Sequence, residues 1–173
     1  MTIRIIGGEL KGRKLVTVSG LKTRPTADRV RESIFNILGD SVRGARVLDL
    51  YAGTGAMGIE ALSRGADSVL FADDNKAALA ALEKNIKICS LENRAKSIKW
   101  NIFNNLNIIR SYTPAFNLIF LDPPYNKNMI QSTLSNLDIS RCLENRSQLT
   151  IEHSPKEPIP KNLTRFKISD QRR

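Results

Sequence analysis

The sequence contains few residues that form covalent or metal cross-links. Among its 173 residues there are two cysteines, Cys89 and Cys142, and one histidine, His153. Two cysteines far apart in sequence cannot make the disulfide framework of a small secreted protein, which favours a reducing cytosol. No group of Cys and His has the spacing of zinc ligands, so we expect no metal site.

Long apolar runs are also missing. No stretch approaches the roughly 20 apolar residues that a transmembrane helix needs, and the first eight residues lack the apolar core of a signal peptide. We therefore expect a soluble, cytoplasmic protein with no membrane partner. The hydrophobic fraction of 41% is ordinary for a globular protein, and 173 residues suit one domain with a full core.

Acidic residues are scarce relative to basic ones. There are 17 Asp and Glu against 27 Lys and Arg, a net charge of +10. The excess is concentrated in residues 1–31, which hold Arg4, Lys11, Arg13, Lys14, Lys22, Arg24, Arg29 and Arg31 against Glu9 and Asp28. Such a cluster predicts a polyanionic partner, most simply nucleic acid. A membrane surface is less favoured, because no segment has the pattern of a basic amphipathic helix with an aromatic face.

The order of the apolar segments predicts a fold in which strands and helices alternate. Strands are expected at 46–50, 68–72, 96–100, 116–121 and 148–152, and the clearest helices at 57–64 and 76–88. This alternation is typical of an α/β, Rossmann-like fold with a mostly parallel sheet. Before it, residues 2–18 are expected to form a hairpin and 23–38 a helix. Residues 166–169 are a candidate for one further strand.

The turn after the first strand of this sheet has the pattern of a nucleotide-binding loop. A Gly-x-Gly-x-x-Gly motif spans residues 53–58, and Asp73 follows twenty residues after Gly53 at the end of the next strand. An NAD(P)-dependent enzyme is therefore one interpretation. Asp49 disfavours it, because a carboxylate at the end of the strand would repel a pyrophosphate. The same carboxylate would stabilise the ammonium and sulfonium groups of S-adenosylmethionine, which we favour as the cofactor.

The most specific motif is Asp122-Pro123-Pro124-Tyr125, directly after the apolar run at 116–121. The two prolines remove two backbone donors and stiffen the turn, which leaves carbonyls and the Asp122 carboxylate as acceptors. Two acceptors can hold an exocyclic amine, and the Tyr125 ring can stack on the planar base that carries it. Because ligands of open α/β sheets bind beyond the carboxyl ends of the strands, we predict a base-amine site here.

Together these motifs resemble those of amino-methyltransferases, and the N-terminal third is similar to the bacterial RsmD family. The similar segments are Ile5-Ile6-Gly7-Gly8, Gly12-Arg13-Lys14-Leu15, Arg24-Pro25-Thr26, Arg29-Val30-Arg31-Glu32, Leu48–Gly55 and Gly58–Gly65. That family methylates N2 of a guanine in 16S ribosomal RNA. The resemblance implies a class I S-adenosylmethionine-dependent methyltransferase fold, with an RNA-binding β-hairpin extension at 1–22 and a Rossmann-like domain at 23–173.

The residues and the resemblance together imply a division of roles. Catalysis is expected of Asp122, Pro123 and Tyr125. Cofactor binding is expected of Asp49, Tyr51, Gly53, Thr54, Gly55, Asp73, Asn101 and Ile102. RNA phosphates are expected to contact Arg4, Lys11, Arg13, Lys14, Arg24, Arg29 and Arg31. The implied partner is 16S ribosomal RNA or the 30S particle, and the protein is expected to be a monomer.

Two features depart from the family pattern. Asn101 stands where members often carry an acidic residue that bonds the adenine amino group, although its amide oxygen can still accept that bond. The family fold also closes with an antiparallel pair of strands, of which this sequence supplies at most one.

Two alternative functions stay open. A DNA or protein amino-methyltransferase, acting on adenine N6, cytosine N4 or a glutamine amide, would use the same amine chemistry. Against DNA, the chain has no room for a separate target-recognition domain. A non-catalytic RNA-binding protein on a Rossmann-like core would not need the carboxylates of Asp49, Asp73 and Asp122.

Overall fold

Strands and helices alternate in the computed structural model, which describes residues 3–18, 25–110, 112–140, 142–160, 163 and 165–172. The strands are β1 (Ile3–Arg4), β2 (Lys14–Leu15), β3 (Arg46–Leu50), β4 (Ser68–Asp73), β5 (Ala95–Lys99), β6 (Phe116–Leu121) and β7 (Leu143–Ile151). The helices are α1 (Pro25–Leu38), α2 (Ala56–Ser63), α3 (Lys76–Ile88) and α4 (Met129–Ile139). None of the helices in these described segments is both long and apolar enough to cross a membrane.

A five-stranded parallel sheet forms the centre of the protein, in the order β5-β4-β3-β6-β7. The chain runs outward from β3 through β4 to β5, and then returns to the other side of β3 with β6. The strand order therefore reverses between β3 and β6. In open α/β sheets ligands bind at such a switch point, beyond the carboxyl ends of the strands.

Different helices cover the two faces of this sheet. One face packs α1, α2 and α3 against Val47 and Phe71, and the other packs α4 against Leu48 and Leu50. All four of these strand residues are fully buried. Burial on both faces explains why the strands are apolar at consecutive positions and do not alternate with polar residues.

The N-terminal hairpin shares the hydrophobic core of the sheet. β1 and β2 pair antiparallel, with Ile3 opposite Leu15. Both residues and Ile5 are buried in the same cluster as Phe35 of α1. The expected boundary between residues 22 and 23 lies outside the described residues.

A buried carboxylate ties this hairpin to α2. Glu60 is fully buried and accepts hydrogen bonds from the backbone N–H of Ile6 at 2.7 Å and of Gly7 at 2.8 Å. It also accepts one from Arg64 Nε at 2.7 Å, and Arg31 Nε lies 3.8 Å from it. Together with Ser63, whose hydroxyl accepts from Leu10 N at 2.9 Å and donates to the carbonyl of Gly7 at 2.6 Å, Glu60 fixes the hairpin on α2.

Most elements predicted from the sequence are confirmed, and two predictions were wrong. β7 begins five residues before the expected strand at 148–152, because Phe116 pairs with Leu143 and then Leu118 pairs with Gln148. The extra residues between these two pairs bulge out and are mostly polar, so they carry no apolar signal. Residues 166–169 form no strand: Phe166 packs on the core, but Ile168 is 57% exposed, so no side of the segment is consistently buried.

We predict that Glu60→Ala lowers the free energy of unfolding by about 3–5 kcal/mol, because the substitution leaves buried donors and buried guanidinium charge without their acceptor. Urea denaturation followed by circular dichroism measures the change. Glu32→Ala removes an exposed glutamate of α1 and serves as the control. A loss for Glu60→Ala no larger than for this control would show that the Glu60 bonds contribute little to holding the hairpin.

Candidate active site

Three carboxylates lie together at the switch point of the sheet. Asp49 is the penultimate residue of β3, Asp73 ends β4, and Asp122 directly follows β6. The register aligns Leu50 with Ala72 on one side and with Leu121 on the other, which brings the three strand ends to one edge. The sequence predicted this meeting, since the carboxyl ends of parallel neighbours share an edge.

Asp49 is the most deeply buried of the three, at 3% exposure. Its burial raises the pKa to about 7, against the lowering effect of a hydrogen bond from Gly58 N at 2.9 Å. The charges of Asp122 and Asp73 contribute smaller parts of this rise. A positive group bound at this edge would offset the repulsion among the carboxylates.

The glycine loop enters α2 with no room for larger side chains. Gly55 precedes the helix at φ +84°, and a Cβ there would lie 2.3 Å from Leu82 Cδ1. A Cβ on Gly58 would lie 2.3 Å from the Phe71 ring, so α2 packs directly on β4 at this point. The motif therefore has a structural cause in close helix–strand packing, as well as its expected role around a cofactor.

Asp73 organises the loops on both sides of it. Its Oδ2 accepts a hydrogen bond from Gly53 N at 2.8 Å, and its Oδ1 accepts one from Asn75 N at 2.8 Å. Asn75 in turn caps the N-terminus of α3. Each carboxylate oxygen has a second lone pair, so Asp73 can still accept hydrogen bonds from the hydroxyl groups of a ribose.

A small cavity of about 80 Å³ lies beside these loops. It is lined by Tyr51, Asp74, Trp100, Asn101, Ile102, Phe103 and Met129. Typical ligand sites occupy roughly 300–1,000 Å³, so the cavity can hold only part of a cofactor. Three of the lining residues, Tyr51, Asn101 and Ile102, were predicted from the sequence. The Tyr51 hydroxyl is bonded to Thr133 Oγ1 at 2.8 Å, and Asn101 Oδ1 accepts from Asn104 N at 3.2 Å.

The other four lining residues were not predicted from the sequence. Asp74 and Trp100 adjoin Asp73 and Asn101, so their positions at strand ends were a usable signal. Phe103, in a loop after β5, and Met129, the first residue of α4, meet through the tertiary fold, and no local pattern marks them.

A larger cavity of about 370 Å³ lies elsewhere. It is lined by Gly8, Phe35, Asn36, Gly39, Asp40, Arg43 and Arg64. Arg43 precedes β3, so this cavity lies near the amino end of the strand. The three carboxylates do not line it, and we place the candidate active site at the carboxyl edge for its chemistry rather than its volume.

The Asp-Pro-Pro-Tyr turn presents both a carboxylate and an aromatic face. Asp122 is exposed to solvent on one side, yet its pKa is raised to about 7, first by the protein packed around its other sides and then by the negative charge of Glu152. Pro123 is buried. Tyr125 is 38% exposed, and its hydroxyl donates a hydrogen bond to Glu152 Oε1.

Two glutamates after β7 hold the turn and the loop that continues from it: Glu152 bonds the turn and Glu157 the loop. Glu152 directly follows the strand, and Glu157 accepts hydrogen bonds from Asn126 N at 2.9 Å and Ile130 N at 3.3 Å. The sequence analysis assigned neither a role. A carboxylate at the end of a strand next to β6 was the available signal for Glu152.

The predicted RNA-binding residues separate into exposed and buried ones. Exposed side chains are those of Arg4, Lys11, Arg13, Lys14 and Arg29. Arg13 also donates from Nη1 to the carbonyl of Ile88 at 2.5 Å, at the end of α3. Arg24 lies outside the described residues.

The expectation for Arg31 is corrected by its burial. Its exposure is 4%, and its Nη2 donates to Asp28 Oδ1 at 3.0 Å and to the carbonyl of Arg4 at 2.7 Å. Arg31 also faces Glu60. It therefore belongs to the ion pairs that hold the hairpin, and an RNA phosphate cannot reach it as it reaches an exposed arginine.

A buried amide connects the hairpin to the glycine loop. Asn85 of α3 is fully buried. Its Nδ2 donates to the carbonyls of Val16 at 3.0 Å and Thr54 at 2.9 Å, and its Oδ1 accepts from Val16 N at 2.7 Å. The predicted RNA-binding segment and the predicted cofactor loop are thus fixed by the same side chain.

Comparison with known proteins places this site in context. Residues 3–173 match the family model described as Conserved hypothetical protein 95. The chain is 35% identical over 167 residues to ribosomal RNA small subunit methyltransferase D of Buchnera aphidicola subsp. Acyrthosiphon pisum, which covers 95% of this chain and 86% of the relative. The protein of the same name from Escherichia coli K12 is 35% identical over 158 residues, covering 91% and 78%.

A solved structure gives the same result for the fold. An Escherichia coli protein described as a candidate methyltransferase, yhhF, matches with a TM-score of 0.79 and 33% identity, over 93% of this chain and 86% of that one. The predicted class I methyltransferase fold, with a mostly parallel sheet and an N-terminal hairpin, is confirmed.

We predict that Asp49→Asn changes how stability depends on pH. The pKa of Asp49 is raised from 3.8 in the unfolded chain to about 7 in the fold, so the native state retains a proton that the unfolded state releases. Wild-type stability should therefore fall relative to the Asn variant as pH rises from about 4 to 7, by up to about 1 kcal/mol per pH unit.

Urea denaturation at pH 5 and pH 8 measures this difference. The exposed carboxylate Asp67, changed to Asn, is the control and should show little pH-dependent difference from wild type. A gap between wild type and Asp49→Asn that stays constant with pH would contradict the raised pKa.

Proposed function

The chain belongs to the Conserved hypothetical protein 95 family, and from this premise we propose that it methylates the N2 amine of a guanine in 16S ribosomal RNA, with S-adenosylmethionine as methyl donor. The observation that carries the proposal is the position of the Asp122-Pro123-Pro124-Tyr125 turn next to Asp49 at the switch point. The relatives named as ribosomal RNA small subunit methyltransferases support the RNA substrate.

The electrostatics of the site support a cationic cofactor. Asp49, Asp73 and Asp122 repel one another, and the ammonium and sulfonium of S-adenosylmethionine would relieve that repulsion. The pyrophosphate of NAD(P) would increase it. When bound, the cofactor supplies an activated methyl group. Asp49 would hold its positive end, Asp73 its ribose hydroxyls, and the cavity around Tyr51, with Asn101 and Ile102, part of its adenine.

The turn after β6 suits the target amine. The Asp122 carboxylate and the Pro123 carbonyl would accept hydrogen bonds from the two N–H groups of the guanine amine. This would direct the nitrogen lone pair toward the methyl group of the cofactor. A guanine N2 is a weak nucleophile, so positioning and preorganised charge would supply most of the rate. The raised pKa of about 7 fits Asp122 to receive the proton that the amine releases.

Tyr125 would stack on the target base. Its ring is partly exposed while its hydroxyl is fixed. Enzymes that modify a base must first take it out of its helical stack, and an aromatic face stabilises the displaced base.

RNA would bind along the N-terminal hairpin. We propose residues 1–22 as an RNA-binding extension of a methyltransferase domain at 23–173, acting as a monomer. Lys11, Lys14, Arg4 and Arg29 are exposed and contact phosphates in this proposal. Arg13 lies with them and also fixes the end of α3.

Methyl transfer from labelled S-adenosylmethionine tests the proposal. Unmodified 30S particles and naked 16S ribosomal RNA are offered in parallel, and the products are identified by nucleoside mass spectrometry. The expected product is N2-methylguanosine. Methylated adenine, methylated cytosine or a methylated protein amide would indicate one of the alternative amino-methyltransferases, and absence of any product would favour a non-catalytic RNA-binding protein.

We expect Asp122 to be needed for methyl transfer but not for binding. Asp122→Ala removes one of two acceptors at the amine, so kcat should fall on the order of 100- to 1000-fold. Calorimetric affinity for S-adenosylmethionine should stay within a factor of about two to three, since Asp49 remains.

Asp122→Asn refines this test, because it keeps an acceptor oxygen but loses the negative charge and the proton acceptor. A large loss of kcat in this variant would show that methyl transfer depends on the negative charge of Asp122 and not only on its hydrogen bond. Nearly full activity in Asp122→Ala would mean that Asp122 is structural, and the proposed function would fail.

We expect Lys11→Ala with Lys14→Ala to weaken RNA binding and to reduce its salt dependence. Each lost phosphate contact lowers the slope of log K against log salt by about 0.7 for single-stranded RNA. Fluorescence anisotropy over a salt series measures the slope. Lys96→Ala with Lys167→Ala removes two exposed lysines outside the hairpin and is the control. Equal slopes for both double variants would place the phosphate path elsewhere.

A further inference from the structure

Glu152 lies next to the Asp122-Pro123-Pro124-Tyr125 turn, because the strands that precede them, β7 and β6, are paired in the sheet. Ile151 is aligned with Leu121 in the register of β6 and β7. Glu152 N donates a hydrogen bond to the carbonyl of Leu121 at 3.0 Å. The residues that follow these partners, Asp122 and Glu152, therefore leave neighbouring strands at the same edge, where parallel strands are about 4.8 Å apart.

The Glu152 side chain also contacts the turn directly. Its Oε1 accepts a hydrogen bond from the hydroxyl of Tyr125, the fourth residue of the turn. This bond fixes the far end of the tyrosine ring, and the ring remains 38% exposed. A ring with its edge held and its face accessible is prepared to stack on a planar base.

We propose that Glu152 is a positioning residue for methyl transfer: it holds the Tyr125 ring for the target base and places a negative charge beside Asp122. This inference rests on the proposed function and deepens it. The two actions come from one carboxylate, because the hydroxyl bond uses one oxygen and the charge acts through space on the neighbouring strand end.

The charge of Glu152 adjusts Asp122 for its task. Two carboxylates face Asp122: Glu152 beyond β7, and Asp49 from β3, whose own pKa is raised by the charge of Asp122. Together with burial, the negative charge of Glu152 opposes ionisation of Asp122 and makes it a better proton acceptor. With the cofactor bound, the amine nitrogen would form its bond to the methyl carbon as the bond between that carbon and the sulfonium sulfur breaks, and Asp122 would receive the N–H proton that the nitrogen loses.

Two other titratable groups that closely follow β7, His153 and Glu157, have different contacts. His153 Nδ1 lies 3.0 Å from the carbonyl of Ser154 and 3.1 Å from that of Glu157. The Glu157 carboxylate accepts the backbone N–H groups of Asn126 and Ile130. Glu157 therefore orders the loop after the turn, whereas Glu152 acts on the turn itself.

Three variants separate the two actions of Glu152. Glu152→Gln keeps an oxygen for the Tyr125 hydroxyl and removes the charge. Tyr125→Phe removes the hydroxyl bond and keeps the charge. Glu152→Ala removes both. Glu92→Gln, which neutralises an exposed glutamate in the turn before β5, the edge strand opposite β7, is the control.

The first readout is the titration of Asp122, followed in the free protein by carbon NMR of labelled aspartate and assigned with Asp122→Asn. Glu152→Gln and Glu152→Ala should lower the midpoint by about 0.5 pH unit or more, and Tyr125→Phe and Glu92→Gln should leave it close to wild type. An unchanged midpoint in Glu152→Gln would overturn the charge effect.

The second readout is single-turnover methyl transfer to unmodified 30S particles over pH 5–9. Glu152→Gln should shift the acid limb of the rate to lower pH with little change in KM for the particle. Tyr125→Phe should raise KM without that shift, and Glu152→Ala should show both effects. Activity, KM and pH profile equal to wild type in Glu152→Ala would overturn the inference. An inactive wild type would instead refute the proposed function, while the NMR titration would still test Glu152.

Discussion

The parallel alignment of β3, β4, β6 and β7 is the constraint on which the site depends. It brings the ends of four strands to one edge, and each end carries a carboxylate: Asp49, Asp73, Asp122 and Glu152. Burial opposes their ionisation and the neighbouring like charges add to the effect, so the pKa values of Asp49 and Asp122 are raised to about 7. Perturbed groups of this kind are typical of functional sites, because a core selected only for stability would avoid them.

The elements outside the sheet hold the surfaces around this edge in fixed positions. Glu60 fixes the hairpin on α2, and Asn85 joins the end of the hairpin to the carbonyl of Thr54 in the glycine loop. Both are polar side chains at zero exposure with their hydrogen bonds satisfied, so they specify geometry more strongly than apolar packing would. The proposed RNA surface and the proposed cofactor loop therefore share α2 and α3 as a rigid base.

Much of this arrangement could be predicted from the sequence, because the central strands are buried on both faces and the motifs lie at their ends. The local sequence pattern did not predict the features that depend on contacts between residues distant in sequence. Arg31 has the sequence signal of an RNA-binding arginine but lies buried against Asp28 and Glu60. The first half of β7 is too polar to be recognised, and the roles of Glu152 and Asn85 depend on partners 27 and 31 or more residues away.

A crystal structure of the protein with S-adenosylhomocysteine, the demethylated cofactor, tests the central claim most directly. The account predicts that the ligand lies across the glycine loop, with its ammonium at Asp49, its ribose at Asp73 and its sulfur toward Asp122. A ligand bound in the cavity of about 370 Å³ beside Arg43 and Arg64, or one whose sulfur points away from Asp122, would contradict the assignment of the strand-end carboxylates as the active site.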